Sequence, residues 1–279
     1  MALYGWARLV DELGDNYAGD RLAALDEAER QLRLALGQPG PAAGPGGRLH
    51  PLIVSAAAVA RRRNLPAQAL FDLLEANRQD QRVTRYETFA DLAGYCRLSA
   101  NPVGRLVLGV FAAATPERTA WSDKICTALQ LVEHWQDVAE DAVAGRVYVP
   151  QEDLRRFGAR EEQLVPPPAP AGGVPRERAP LECRALMMFE VARSRQMLEE
   201  GAPLVGSLRG RLRVAVAGFV AGGLAALDAL EAAGFDIYAP TTRPAPRRLA
   251  YHLLKLLLAA RHSQTEAASA GPAAPELAS

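Results

Sequence analysis

Cysteine is scarce in this chain of 279 residues, and the three present, Cys96, Cys126 and Cys183, have no close paired spacing. That argues against a disulfide framework or a thiolate metal site and fits a reducing cytosol. Aromatic residues make up only 6% of the sequence and β-branched runs are short, so strand signals are few. An excess of one charge sign is missing too. The 32 basic residues offset 32 acidic ones, so no global field draws the chain to nucleic acid. The N-terminus, Met1-Ala2-Leu3-Tyr4-Gly5-Trp6-Ala7-Arg8, lacks the basic-then-apolar layout of a signal peptide. The most apolar stretch, Val214 to Leu227, covers about fourteen residues where a membrane span needs roughly twenty, and it reads as a buried core helix. Zinc-ligand spacings, calcium loops and internal repeats are absent as well.

What is abundant is alanine and leucine, and with 49% hydrophobic residues there is enough to fill one large core. Periodicity predicts helices over 2–13, 20–36, 51–63, 66–79, 87–97, 102–114, 117–144, 178–201, 206–233 and 246–261. Pro66 and Pro116 sit where a first-turn proline fits. Glycine and proline crowd Gly37 to Pro51 and Gln163 to Pro180, which are loops on this reading. The expectation is therefore an all-α, single-domain helical bundle over 1–262, with a disordered tail over 263–279. The first helix begins at Met1 already inside an apolar-periodic pattern, which suggests a missing preceding helix. Leu249 to Arg261 is amphipathic, with Arg247, Arg248, Lys255 and Arg261 against a row of leucines. It reads either as a plain surface helix or as a site of peripheral membrane contact.

Two acidic stripes carry the chemistry. In the first, Tyr4, Arg8, Asp11 and Asp15 fall within an arc of roughly 60° on one helix. Asp11 and Asp15 repel each other one turn apart unless a cation sits between them, and Arg8 on the same arc could pair with an aspartate or a phosphate oxygen. In the second, Gln130, Glu133, His134, Asp137 and Asp141 share roughly 100° of a long helix whose Ile125, Leu129 and Val132 form an apolar face. Either stripe alone reads equally well as a solvated helix face. Two of them on separate helices point to a site for Mg²⁺, since carboxylate, water and phosphate are hard oxygen ligands. A diphosphate leaves carbon only if its growing charge is neutralised, and the cation left behind needs a dry apolar cavity.

Other residues have plainer readings. His134 reads as a hydrogen-bonded helix residue ahead of a base or ligand, Cys96 and Cys126 as small core residues, and Arg61-Arg62-Arg63 as a helix C-terminal charge run ahead of a phosphate-recognition site. Gly222-Gly223 permits close helix packing or makes room for a lipid chain.

These motifs resemble the squalene/phytoene synthase family. Tyr4-Gly-Trp-Ala-Arg8-Leu-Val-Asp11-Glu12-Leu-Gly-Asp15 resembles its first aspartate motif, and Gln130 to Asp141 with Gly145-Arg146-x-Tyr148-x-Pro150 resembles the second. Asp80-x4-Arg85-Tyr86-x-Thr88-Phe89 resembles the central segment. Tyr95-Cys96-x-x-Ser-Ala100-Asn-Pro-Val103-Gly104, His134-Trp135-Gln136-Asp137, Gly210-Arg211-Leu-Arg213 and Gly234-Phe-Asp236 are similar to the bacterial hydroxysqualene synthase branch. The resemblance implies a cytoplasmic, Mg²⁺-dependent enzyme of isoprenoid biosynthesis that converts presqualene diphosphate to hydroxysqualene. It implies that Asp11, Asp15, Asp137 and Asp141 hold Mg²⁺, that Arg8 and Arg146 contact the isoprenoid diphosphate with Tyr148 near them, and that Gln130 helps fix the second helix. Tyr4, Asp80 and Glu133 are additional candidates. Glu133 stands where many relatives have asparagine, as a further metal ligand or a base for water. Leu98 replaces the tyrosine of reductive squalene synthases. Neighbouring squalene-pathway enzymes are the implied protein partners. Head-to-head condensation of two prenyl diphosphates uses the same motifs and is the alternative enzyme. A non-catalytic helical scaffold on the same fold is the third reading, although it would be expected to have lost these carboxylates.

Overall fold

A computed structural model describes residues 1–39, 48–168, 177–240 and 244–269, with side chains as far as 260. Its elements in chain order are α1 (Ala2–Asp15), α2 (Arg21–Leu36), α3 (Pro51–Arg63), α4 (Gln68–Asp80), α5 (Phe89–Ser99), α6 (Asn101–Val110), α7 (Pro116–Val143), α8 (Gln151–Phe157), α9 (Leu181–Gly201), α10 (Pro203–Ser207), α11 (Gly210–Ala232) and α12 (Pro246–Ser269). A 3₁₀ turn covers Glu161–Gln163. Among the described residues the only β pairing is an isolated parallel bridge between Arg85 and Val147. The chain is all-α, as expected.

Local sequence sets many of the helix starts. The Asp20 side chain accepts from the Ala23 amide at 3.0 Å to open α2. Thr88 and Asp91 form a reciprocal capping box at α5. Thr115 caps α7, with Pro116 in the first turn where no amide is required.

Four expectations need correction. The helix expected over 206–233 is two helices, α10 and α11, because the chain extends at Leu208 and Arg209 before Gly210 at φ +56. Tertiary contacts stabilise that break. Leu208 is buried, Arg118 Nη2 donates to the Ser207 carbonyl at 2.6 Å, and Arg213 Nε donates to that of Leu208 at 2.7 Å. The helix expected from 66 begins at Gln68, so Pro66 precedes it. No element was expected between 144 and 178, yet α8 forms there. Its first two amides donate to the carbonyls of Tyr86 and Glu87 at 2.9 and 3.0 Å, contacts that periodicity does not reveal. Finally, α12 runs to Ser269, so 263–269 of the expected tail is helical. The rest of that tail, 40–47 of the first loop and 169–176 of the second lie outside the described residues.

Three apolar clusters fill the bundle. Trp6, Val10, Leu25, Leu32, Ile53, Leu70 and Leu74 join α1 to α4. Tyr86, Leu92, Tyr95, Leu131, Trp135 and Leu186 join α5, α7 and α9. Leu108, Ile125, Leu198, Leu204, Val220 and Leu227 join α6, α7, α9, α10 and α11. The long α7 packs on α9, and buried Trp135 Nε1 donates to Ser194 Oγ at 2.8 Å across that interface. By length and composition α11 could cross a membrane, but half of its most apolar window is buried inside the bundle, as suits a core helix.

Candidate active site

Gly14 brings α1 to the right place. A side chain there would strike the amide group of Asn77 on α4. Gln81 Nε2 then donates to the Gly14 carbonyl at 3.0 Å, and the Asn77 amide hydrogen-bonds the Asp11 carboxyl. The acidic end of α1 is thereby held against the end of α4, where Asp80 is the last helical residue. Burial and the neighbouring Asp15 raise the Asp11 pKa, with Arg8 and Asn77 opposing them.

The loop after α7 reaches the same place from the other side. Its Val147 amide donates to the Thr84 carbonyl at 2.9 Å, and Arg85 Nη1 donates to the Gly145 carbonyl at 2.7 Å. These bonds, at the Arg85–Val147 bridge, set Arg146 and Tyr148 beside Asp80. The Tyr95 hydroxyl donates to Asp80 Oδ2 at 2.6 Å and that of Tyr148 to Oδ1 at 3.3 Å. Burial raises the Asp80 pKa, while Tyr95, Arg146 and Tyr148 counter it. Arg146 hydrogen-bonds Tyr148 and lies within electrostatic reach of Asp80 and Asp15, all of which favour its charged form.

From α7 come Asp137 and Asp141, both half-buried. Burial lifts Asp141 to about 6, helped by Asp137, Glu140 and Asp80 and opposed by Arg146. Burial and Glu140 raise Asp137. The two acidic stripes therefore share one field, since Asp15 of α1 acts on Asp80 and Arg146 and both of these act on Asp141 of α7.

Beyond the second stripe, toward the start of α7, an apolar groove of about 270 Å³ opens between α6, α7, α10 and α11. Val103, Val107, Leu108, Ile125, Leu129, Leu204, Val216 and Phe219 line it, and Gln130 and Glu133 carry it toward the aspartates. The Glu133 carboxyl reaches solvent, but the protein around it, then Asp137, raises its pKa. Leu98 packs against the tyrosine-rich core instead. Of Gly222 and Gly223, only the second lies in close helix packing. A Cβ on Gly223 would lie 2.7 Å from Leu129 Cδ2, whereas one on Gly222 would meet nothing within 4 Å.

The structure thus brings together Asp11, Asp15, Asp80, Asp137, Asp141, Arg146 and Tyr148. Tyr148 is buried, its ring stacked on His134 at 3.8 Å, so it supports Asp80 and Arg146 from behind. Burial lowers the His134 pKa to about 3, leaving a neutral ring 3.4 Å from the Gln130 amide. Arg8 lies beside Asp11, and Tyr4 stands 68% exposed on the same helix. Sequence reasoning missed Asn77. It lies three residues before Asp80, on the same face of α4, and that spacing is the signal that would have found it.

Among the described residues, no three histidine, cysteine, aspartate or glutamate side chains form a metal cluster by themselves. The donor set still fits Mg²⁺, which commonly takes one or two carboxylates and completes its shell with water and substrate phosphate. Burial first, and then a neighbouring carboxylate in each case, raises Asp11, Asp137 and Asp141, and a cation among them would relieve that part of the rise which comes from like charge.

A family model described as squalene/phytoene synthase matches residues 1–251. The chain belongs to the squalene/phytoene synthase family. Within it, the hydroxysqualene synthase of Zymomonas mobilis is 36% identical over 177 residues, covering 59% of this chain and 53% of that protein. The chain thus spans about half the length of that relative. The 15-cis-phytoene synthase of Synechococcus elongatus is 32% identical over 264 residues, covering 87% of this chain and 79% of that one. Among solved structures, squalene synthase HpnC from Alicyclobacillus acidocaldarius superposes with a TM-score of 0.72 at 38% identity, over 84% of this chain and 82% of that one.

Proposed function

We propose that this protein converts presqualene diphosphate to hydroxysqualene and diphosphate. The observation that carries this reading is the meeting of the two acidic stripes around Asp80 and Arg146, with an apolar groove continuing from the second stripe. Asp11, Asp15, Asp137 and Asp141 would hold Mg²⁺, which supplies positive charge against the leaving diphosphate. Arg146, oriented by Tyr148 and the loop bridge, adds a fixed cation at the same place, and Arg8 is available from the α1 side. The C–O bond to diphosphate breaks with both electrons leaving on oxygen. The groove walls Val107, Leu108, Leu129 and Phe219 exclude water from the hydrocarbon and limit premature quenching of the cation. After rearrangement, a water oxygen bonds to the cationic carbon and its proton is released. Gln130 and Glu133 line the groove toward its acidic end, and Glu133 would either take that proton or add a ligand to the metal. Similarity to proteins named hydroxysqualene synthase supports the water-terminated outcome. So does leucine at position 98, where the reductive squalene synthases carry tyrosine.

The wider coverage by 15-cis-phytoene synthase favours a second reading, head-to-head condensation of two prenyl diphosphates. Purified protein with Mg²⁺ should be given presqualene diphosphate in one reaction and farnesyl or geranylgeranyl diphosphate in others, with products read by mass spectrometry. Hydroxysqualene from presqualene diphosphate alone is expected. Turnover of the prenyl diphosphates without presqualene diphosphate would replace this reading with the second, and no turnover of any would favour the scaffold.

A further inference from the structure

Helix α12 has a buried side and an outer side of unusual composition. Inward, His252 and Ala260 are buried, Leu253, Leu256 and Leu257 pack into the core, and His252 Nε2 lies 2.9 Å from Asp228 Oδ2 of α11. Outward, Tyr251 is 56% exposed, Leu254 60% and Leu258 44%. At 100° per residue, Arg247, Tyr251, Leu254 and Leu258 share an arc of roughly 60°, and Lys255 and Arg248 fall within about 60° beyond it. From Pro246 to Ala260 there is no aspartate or glutamate. Arg248 lies 3.8 Å from Asp228, whereas among the described residues neither Arg247 nor Lys255 has a carboxylate within salt-bridge distance.

Scattered exposed apolar side chains are ordinary on a soluble surface. Three large ones in a single stripe, flanked only by cations, make the pattern of a helix that lies in a membrane interface, with its apolar side chains among acyl chains and its basic ones at headgroups. We propose that the outer face of α12 docks this protein onto an anionic lipid surface. Charge selects that occupant. A two-fold contact with a second copy would set Arg247, Arg248 and Lys255 against the same cations of its partner, whereas negative headgroups complement all three. The proposal does not depend on the reaction assigned above, because docking is read without turnover.

The test is co-sedimentation of the full chain with vesicles of equal parts phosphatidylglycerol and phosphatidylcholine, against vesicles of phosphatidylcholine alone. Binding to the anionic vesicles that weakens with salt is expected. Changing Arg247, Arg248 and Lys255 together to Glu should weaken it by about 100-fold or more, counting roughly five-fold per cation removed. Tyr251→Asp with Leu254→Asp should abolish it with an unchanged melting temperature, since both side chains are already exposed. Failure of the full chain to bind anionic vesicles, or undiminished binding by the Tyr251/Leu254 variant, overturns the proposal. So does a dimer in sedimentation velocity that the same variant disrupts, which would assign the face to a second copy.

Discussion

The Tyr148 hydroxyl donates to Asp80 across 3.3 Å, tying the loop that follows the second acidic stripe to the end of α4. The same carboxylate accepts from Tyr95 at 2.6 Å and sits in the field of Arg146. We propose that Asp80 positions the arginine, and its charge and its acceptor oxygens can be separated by mutation. Asp80→Asn keeps an acceptor and should change unfolding free energy by less than about 1 kcal/mol, while lowering kcat/KM by about 10–100-fold. Asp80→Ala also removes the acceptor of two buried hydroxyls and should cost about 1–3 kcal/mol more in urea denaturation. Full activity in Asp80→Asn would show that Arg146 needs no carboxylate behind it.

Burial raises both Asp137 and Asp141, with Glu140 adding to the rise at Asp137 and Asp137 to that at Asp141. Changing both to Ala should lower kcat by about 10²–10³-fold or more, the scale of losing one preorganised contact at a developing charge. Thermal melting gives an independent readout. Mg²⁺ with inorganic diphosphate should raise the melting temperature of the wild-type protein and leave that of the double variant unchanged. An equal rise in both would remove the second stripe from the metal site.

The adjacent glycines of α11 should respond with opposite signs. Gly223→Ala drives a methyl against Leu129 and Leu198, at 2.7 and 3.0 Å, and should destabilise by about 1–3 kcal/mol. Gly222→Ala meets nothing within 4 Å and should gain up to about 1 kcal/mol of helix propensity. Equilibrium unfolding of the two single variants decides the matter, and two changes of the same sign would contradict the packing described.

Glu190 is fully buried on α9, within reach of Asp153 of α8 and of Arg193, whose guanidinium lies 4.1 Å over the Phe89 ring. Burial lifts Glu190 to about 8, with Arg193 opposing and Asp153 adding to the rise. A carboxyl whose pKa is raised on folding contributes stability below its unfolded value. That contribution is lost as pH climbs through the folded value. Stability should therefore fall between about pH 4.5 and pH 8 or slightly above. Glu190→Gln, which cannot ionise, should flatten that slope in denaturation curves taken across the range. An unaltered slope would place the titration elsewhere.

Much of the fold was legible in the sequence because its signals are local. Apolar periodicity, proline in a first turn and capping residues act within four or five positions, so nearly every long helix is where those signals put it. The errors fall where distant contacts decide. Helix α8 needs carbonyls from Tyr86 and Glu87, and the break at Leu208 needs Arg118. The roles of Asp80, Asn77 and Tyr148 were obscure for the same reason, since each acts through a partner from another segment of the chain.

The sequence by itself determined that two helices each carry aspartates on one face, because a helix repeats every 3.6 residues whatever surrounds it. Only the tertiary structure decided that those faces meet. Their meeting depends on a glycine small enough to let α1 close on Asn77 and on a bridge between two loops some sixty residues apart. Electrostatic coupling falls with distance in space and takes no account of separation along the chain, so the shared field of Asp15, Asp80, Asp141 and Arg146 exists only once the bundle has closed.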